Sequence, residues 1–293
     1  MSGPVRSSRR MSGPRRAAAL AAAMLVTWPA AGAAQAPVTP GSPAPSQAPA
    51  AAAQAAVAGP DARRVVAASV LDPLELLREP GDQIKLSDER RTTRWAHPQA
   101  RAMIHLSPSA GSRAVARLHY LTEDGVAEVY PMLAARMDSA QRRWVKIRVP
   151  QRPNGKVGWV REEALGRFYV VRTRLVINRT SLRAQLYQSG RIIWSAPVGV
   201  GKAGTPTPRG QFWIRERLKG LRSNPIYGPW AFGTSAYSIL SDWPGGGVVG
   251  IHGTNEPHLI PGRPSHGCVR LRNDKIRLLA RLMPIGTPLR ITG

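Results

Sequence analysis

His252-Gly253-Thr254 is followed, after residues 255–264, by Ser265-His266-Gly267-Cys268-Val269-Arg270-Leu271-Arg272-Asn273. This stretch holds the only cysteine of the chain and three of its six histidines. A thiolate is a strong nucleophile, but a free thiol at neutral pH is mostly protonated and needs a base beside it. An imidazole can take that proton and return it to a leaving amine. His252 lies 16 residues before Cys268, a separation that a folded-back loop closes. His266 lies two residues before it, and an extended segment would put both side chains on one face. Gly267 leaves room for a substrate carbonyl, and the N–H groups of Gly267 and Cys268 are candidate oxyanion donors. The polar and small neighbours Ser265, His266, Gly267 and Arg270 are poor company for an inert core thiol.

Working outward, Val248–Ile251 is a short apolar strand that delivers His252 at its end, held firmly yet within reach of solvent. Phe168–Ile177, Leu182–Tyr187 and Arg191–Val198 are strand-like and suggest a β-meander. Prolines in Thr205-Pro206-Thr207-Pro208-Arg209-Gly210-Gln211-Phe212 stiffen a loop beside the cleft. Gly220–Trp243 is rich in Gly, Pro and aromatic residues and reads as a flap, with Tyr227, Trp230 and Tyr237 either lining the site or packing in the core. Asn273 suits a helix N-cap, and Ile276, Leu279, Ala280 and Met283 then share one helical face. Pro284 and Gly286 end that helix, and Leu289–Thr292 is a last strand. The expected domain is mostly β with one late helix.

The two blocks resemble the L,D-transpeptidase (YkuD-like) catalytic domain. The matching residues are His252, Gly253, Ser265, His266, Gly267, Cys268, Arg270 and Asn273. The block Thr205–Phe212 is similar to the family's Thr-Pro-x-Gly-x-Phe, with one extra residue before the glycine. The resemblance runs from about Phe168 to the C-terminus. It implies a β-sandwich-like fold and acyl transfer on peptidoglycan stem peptides through a cysteine thioester, without a cofactor. By that resemblance Cys268 is the nucleophile, His252 its base, and the Gly253 carbonyl orients the imidazole. His266 and Gly267 complete the catalytic candidates, and Arg270, Ser265, Gly253 and Asn273 are the substrate-side candidates. Arg270 either grips a substrate carboxylate bidentately or ties the loop down. Asn273 is either a helix cap or a ligand. Asp242 and Glu256 are third-member candidates by elimination alone. His252, His258, His266 and Cys268 offer zinc donors, but His-x-Cys is not a usual zinc spacing, so no metal is expected. The same site with water as acceptor would be a carboxypeptidase or endopeptidase. A non-catalytic wall-binding protein is the third reading, and the intact motif argues against it.

Upstream, Trp144-Val145-Lys146-Ile147-Arg148-Val149 alternates as a half-buried strand should, and Pro153-Asn154-Gly155 turns it into Lys156-Val157-Gly158-Trp159-Val160. Val115–Leu118 and Ala127–Tyr130 flank the turn Glu123-Asp124-Gly125. The Trp-Val-Lys-Ile-Arg, turn, Gly-Trp-Val pattern is similar to a bacterial SH3-like barrel, which implies either a wall-binding module or a spacer. The expected organisation is an export signal over 1–34, an Ala/Pro-rich linker and ambiguous segment over 35–98, an SH3-like β domain over 99–166 and the catalytic domain over 167–293.

Arg9, Arg10, Arg15 and Arg16 precede the apolar stretch Ala17–Val26, too short to span a bilayer, and small residues follow. This reads as an export signal, cleaved or kept as an anchor, and places the protein in the periplasm or cell wall. Pro37–Pro60 carries no charge and too little apolar surface to fold, so a disordered tether is expected. Forty-two basic against 17 acidic residues give a formal charge of +25, and removing 1–34 leaves +20. That excess suits an anionic wall polymer. The basic residues are dispersed, and no nucleic-acid partner is expected. A single cysteine excludes an intramolecular disulfide framework.

Overall fold

The computed structural model describes residues 72–220, 225–241 and 244–293. The expected export signal and tether, and Asp242, lie outside the described residues. The described residues form two β-sheets that meet through buried side chains.

The first sheet contains β1 (Gln83–Lys85), β2 (Thr93–Pro98), β3 (Met103–His105), β4 (Ala114–Arg117), β5 (Tyr130–Met137), β6 (Arg143–Arg148), β7 (Val157–Arg161) and β8 (Leu165–Val171). Its order is β4-β3-β7-β6-β5-β2-β8, with β1 on β5. The alternation at 145–148 is realised in β6, where Val145 and Ile147 point inward and Lys146 and Arg148 are half-buried. Trp144 and Trp159 are buried, so both serve packing. The core is filled by Leu74, Leu86, Ile104, Tyr130, Met132 and Val160 among others.

Two expected boundaries fall inside this sheet. β2 pairs with β5 and β8, so residues 93–98 belong to the sheet and not to a linker ending at 98. Trp95 and Ala96 are buried there, and that burial draws the segment in. The run Phe168–Ile177, expected as one strand, breaks at Arg172. Its first half is β8 of the first sheet and its second half opens the second sheet. The apolar pattern continues through the break because Val171 is buried between the sheets and Leu175 in the core of the second sheet. The pair Val115–Leu118 and Ala127–Tyr130 is not a hairpin. β4 pairs with β3, and residues 121–127 close a tight turn through a bridge between Leu121 and Ala127.

The second sheet contains β9 (Thr173–Asn178), β10 (Arg183–Gln188), β11 (Arg191–Pro197), β12 (Gly199–Gly201), β13 (Gly210–Lys219), β14 (Trp230–Tyr237), β15 (Val248–His252), β16 (Gly262–Ser265), β17 (Val269–Arg270) and β18 (Pro288–Thr292), with α1 (Asn273–Leu282) before the last strand. The order is β11-β10-β9-β18-β13-β14-β15-β17-β12-β16. The meander β9-β10-β11 is antiparallel as expected. β13 is shared between two halves: Gly210–Trp213 pairs with β18, and Ile214–Lys219 pairs with β14 across a register shift. That shift bends the strand and curls the sheet, so its halves enclose one core as a sandwich does. Phe212, Ile214, Phe232, Val249, Ile251 and Val269 fill it, and α1 adds Ile276, Leu279 and Ala280. Met283 is buried beyond the helix end, completing the expected apolar face.

The two sheets share a small core of Trp95, Val129, Val171 and Trp213. Beside it, Arg215 of β13 is buried against Glu128, which is itself 1% exposed. Arg215 Nε donates to Glu128 Oε1 at 2.8 Å, and Nη2 pairs with Oε2. Arg215 Nη1 lies 2.8 Å from Glu123 Oε2. Trp213 Nε1 donates to the Val129 carbonyl at 2.8 Å, and the Thr122 hydroxyl donates to buried Glu216 at 2.7 Å. Gly286 sits with φ +79° in the left-handed region, and a Cβ there would meet Trp95 Cδ1 at 2.2 Å. Only glycine satisfies both conditions.

Candidate active site

β15 and β17 run parallel, with Ile251 beside Val269 and His252 beside Arg270. This pairing brings His252 and Cys268 to the same end of the sheet. A Cβ placed on Gly250 would lie 3.8 Å from both Cys268 Sγ and His252 Cδ2. Both side chains line one cavity with Ile226, Tyr227, Ser238 and His266.

His252 is 3% exposed, and its Nδ1 lies 2.6 Å from the Gly253 carbonyl oxygen. A carbonyl only accepts, so Nδ1 carries the hydrogen and Nε2 is the basic nitrogen. This contact is the one through which the resemblance would have the Gly253 carbonyl orient the imidazole. Burial drives the His252 pKa down to about 4, the Gly253 bond partly opposes this, and Arg270 adds to the lowering. Burial also pushes the Cys268 thiol up, against the Gly250 N–H, which donates to Sγ at 3.3 Å, and against Arg270. At rest the pair is therefore neutral thiol and neutral imidazole.

The turn carrying Cys268 is not extended, so His266 and Cys268 do not share a strand face as the spacing suggested. The chain bends at His266–Gly267, and Gly267 has φ +128°. A Cβ on Gly267 would also lie 3.1 Å from Ser238 Cβ. Glycine is needed there for backbone conformation and for this approach. Exposed His266 accepts from Lys202 Nζ, 3.0 Å from its Nε2, since an ammonium can only donate.

Ser265 is buried, and its hydroxyl donates to the Cys268 carbonyl at 2.6 Å and accepts from Gly267 N at 3.1 Å. The Gly267 N–H is thus held by Ser265, which leaves Cys268 N–H as the remaining member of the expected donor pair. Ser265 ties the turn, so its hydroxyl is engaged by protein. Arg270 Nη1 lies 2.7 Å from Glu256 Oε2, while its Nε is buried with no hydrogen-bond partner among the described residues. Glu256 therefore pairs with Arg270 and is not a third member behind His252. Asn273 is the first residue of α1, and the capping position falls to Arg272, with no side-chain cap. The Asn273 side chain instead accepts from Thr254 N at 3.0 Å, which braces the segment after His252. His258 is exposed on a separate turn and does not line the cavity.

Of the three aromatics in the expected flap, Tyr227 reaches the site. Its ring meets the His252 ring edge-on, with centroids 4.9 Å apart. Trp230 packs against the sheet core, and the Tyr237 hydroxyl donates to Glu123 at 2.6 Å.

Thr207 was missed as a site residue. It is fully buried, its hydroxyl donates to the Gly267 carbonyl at 2.8 Å, and it accepts from Gly201 N at 2.9 Å. The proline-flanked block 205–212 signalled a stiff loop, but not which hydroxyl would brace the Cys268 turn.

Residues 172–291 match the model of the YkuD family, the L,D-transpeptidase catalytic domain. These residues form a domain of the YkuD family. The YkuD protein of Bacillus licheniformis is 36% identical over 119 residues, covering 41% of this chain and 65% of that protein. The ErfK/SrfK protein of Salmonella typhimurium is 33% identical over 141 residues, covering 41% of this chain and 44% of its own length. The chain thus spans about two thirds or less of these relatives. Among solved structures, an L,D-transpeptidase from Mycobacterium smegmatis aligns at 16% identity with a TM-score of 0.35, over 52% of this chain and 90% of that one. The YkuD match begins at the break between β8 and β9, so it covers the second sheet and leaves the first outside.

Proposed function

We propose that this protein is a peptidoglycan L,D-transpeptidase working through a Cys268 thioester. The observation that carries the reading is that Cys268 and His252 line one cavity, with His252 Nδ1 fixed on the Gly253 carbonyl, which leaves Nε2 as the acceptor. On substrate binding, the Cys268 proton passes to His252 Nε2 and the sulfur attacks the peptide carbonyl before a terminal D-amino acid. The tetrahedral oxyanion forms beside Cys268 N–H, the role expected of such donors. As the C–N bond breaks, the imidazolium returns its proton to the leaving amine. A stem-peptide amine then attacks the thioester, His252 takes its proton, and the C–S bond breaks. The imidazolium proton restores the thiol.

His252, and not His266, is the base in this scheme, because His266 Nε2 accepts from Lys202. Arg270, which lines the cavity and pairs through Nη1 with Glu256, is the group suited to a donor carboxylate. Transfer to an amine is preferred over hydrolysis as the family's reaction. The mature chain acts outside the cytoplasmic membrane, on the strength of the N-terminal segment, and its basic excess favours wall polymers. Among the described residues no helix is long and apolar enough to cross a membrane.

Incubation with a disaccharide-tetrapeptide and an amine acceptor tests this by product mass. A cross-linked product, lost in Cys268→Ala, is expected. A wild-type protein that yields only the hydrolysed tripeptide overturns transfer, and no turnover at all overturns the enzyme reading.

A further inference from the structure

We propose that Arg152, on the 149–156 turn of the first sheet, is a positioning residue for the Cys268 turn. The first sheet would then be part of the catalytic apparatus. This rests on Cys268 being the reacting thiol.

The turn between β6 and β7 reaches across to the second sheet. Arg152 Nη1 donates to the Gly246 carbonyl at 2.8 Å. Its Nη2 donates to the Ser238 carbonyl at 2.8 Å and to the Leu240 carbonyl at 3.2 Å. Three carbonyls converging on one guanidinium are three oxygens whose mutual repulsion the cation relieves, and only the Arg fork spans them. The guanidinium carbon also lies 4.8 Å from the Tyr237 ring centroid. Two residues on, Asn154 imitates a strand partner. Its Nδ2 donates to the Tyr237 carbonyl at 2.8 Å, and its Oδ1 accepts from Tyr237 N at 2.9 Å.

These contacts fix the end of β14 and the return of the chain towards β15, where Ser238 N donates to the Gly247 carbonyl at 2.9 Å. Ser238 and the neighbouring Val248 and Val249 are walls of the cavity holding Cys268. Ser238 also lies under Gly267, where a Cβ would be 3.1 Å from Ser238 Cβ, tighter than an ordinary contact. A force on Ser238 is therefore a force on the nucleophile turn. Gly247 shows how close the clamp sits: it has φ +77°, and a Cβ there would lie 2.7 Å from Arg152 Nη2.

Two measurements test the proposal on the full-length chain. The first is kcat and KM for peptide transfer in Arg152→Ala and Arg152→Lys. The second is the rate of Cys268 alkylation by iodoacetamide against pH. Arg152→Ala should lower kcat by about 10-fold or more with a smaller change in KM, the scale of misplacing a reacting group. Its alkylation profile should move to lower pH as the wall over the thiol loosens and water enters. Arg152→Lys, which keeps the charge but reaches fewer carbonyls, should recover part of both. Wild-type kcat and alkylation profile in Arg152→Ala overturn the proposal. If Arg152→Ala does not fold, Asn154→Ala cuts the second tether and is read the same way. The alkylation arm needs no assigned substrate, so a wild type inactive on the peptide would sink the proposed reaction and leave the positioning role to be decided by that profile.

Discussion

Replacing Glu128 with alanine should destabilise both sheets together. Glu128 is 1% exposed and lies on the first sheet's side of the junction, and Arg215, 2% exposed, lies on the second. The carboxylate takes two bonds from the Arg215 guanidinium and one from Val129 N at 2.9 Å. Breaking a buried pair by removing one partner typically costs about 3–5 kcal/mol, because the other charge stays desolvated. Arg215 keeps Glu123, which is partly exposed, so the lower end, ~3 kcal/mol, is expected. For a cooperative unit of this size that is a fall of roughly 6–12 °C in melting temperature. Tryptophan fluorescence and calorimetry should show one transition shifted as a whole, since Trp144 and Trp213 report from different sheets. Glu128→Gln, which retains an acceptor, should lose less. A loss under about 1 kcal/mol, or two separate transitions, would refute the view that this junction couples the sheets. The same reasoning predicts that a chain cut near residue 166 will not fold independently. It would bare Trp213, Arg215 and Glu216, all buried in the whole protein.

Thr207→Val removes the donor to the Gly267 carbonyl and the acceptor for Gly201 N; the loss should be about 1–3 kcal/mol, with turnover falling more steeply than stability, checked by urea melts and kinetics. His252→Ala should keep the fold and slow acylation by ~10²–10⁴, as measured by adduct mass over time. The wild-type acylation rate should hold down to mildly acidic pH and fall only towards the His252 pKa of about 4, not at the ordinary imidazole value of 6.5. Because that folded pKa is lowered, the unfolded chain binds the proton first, and stability should drop as pH falls from about 6.5 towards 4 in acid melts. Glu216 runs the other way: burial raises its carboxyl to about 7, so its contribution is present below about 4.5 and is lost as pH rises through 7. Glu216→Gln should flatten that loss in melting curves taken from about pH 4.5 to about pH 7.5.

What the sequence revealed and what it hid follow from chain separation. Cys268, Gly267, Ser265 and His266 are contiguous, and the β15–β17 pairing needs only that two short apolar runs bracket a loop. The late helix was visible because its apolar face repeats locally, at Ile276, Leu279 and Ala280. Its cap was misjudged because Asn273 has a stronger partner in Thr254, 19 residues back. The strand break at Arg172 was invisible because residues on both sides are apolar for different cores, Val171 for the junction and Leu175 for the sandwich.

The braces of the site lie further off still. Thr207 reaches Gly267 across 60 residues, and Arg152 reaches Ser238 across 86. Neither belongs to a local pattern, since a hydroxyl or guanidinium bonding a distant carbonyl leaves no periodicity behind. Under the proposed function the chemistry-bearing residues can be read from one short segment, because a nucleophile and its oxyanion donor must share a turn. The residues that hold that turn still need only present a donor at the right place, from any part of the chain. A turn that looked like the tip of a separate wall-binding module is therefore free to brace the catalytic domain. If it does, the first sheet tunes how Cys268 meets its substrate, and exchanging it for a sheet lacking Arg152 and Asn154 should change kcat even where wall binding is kept.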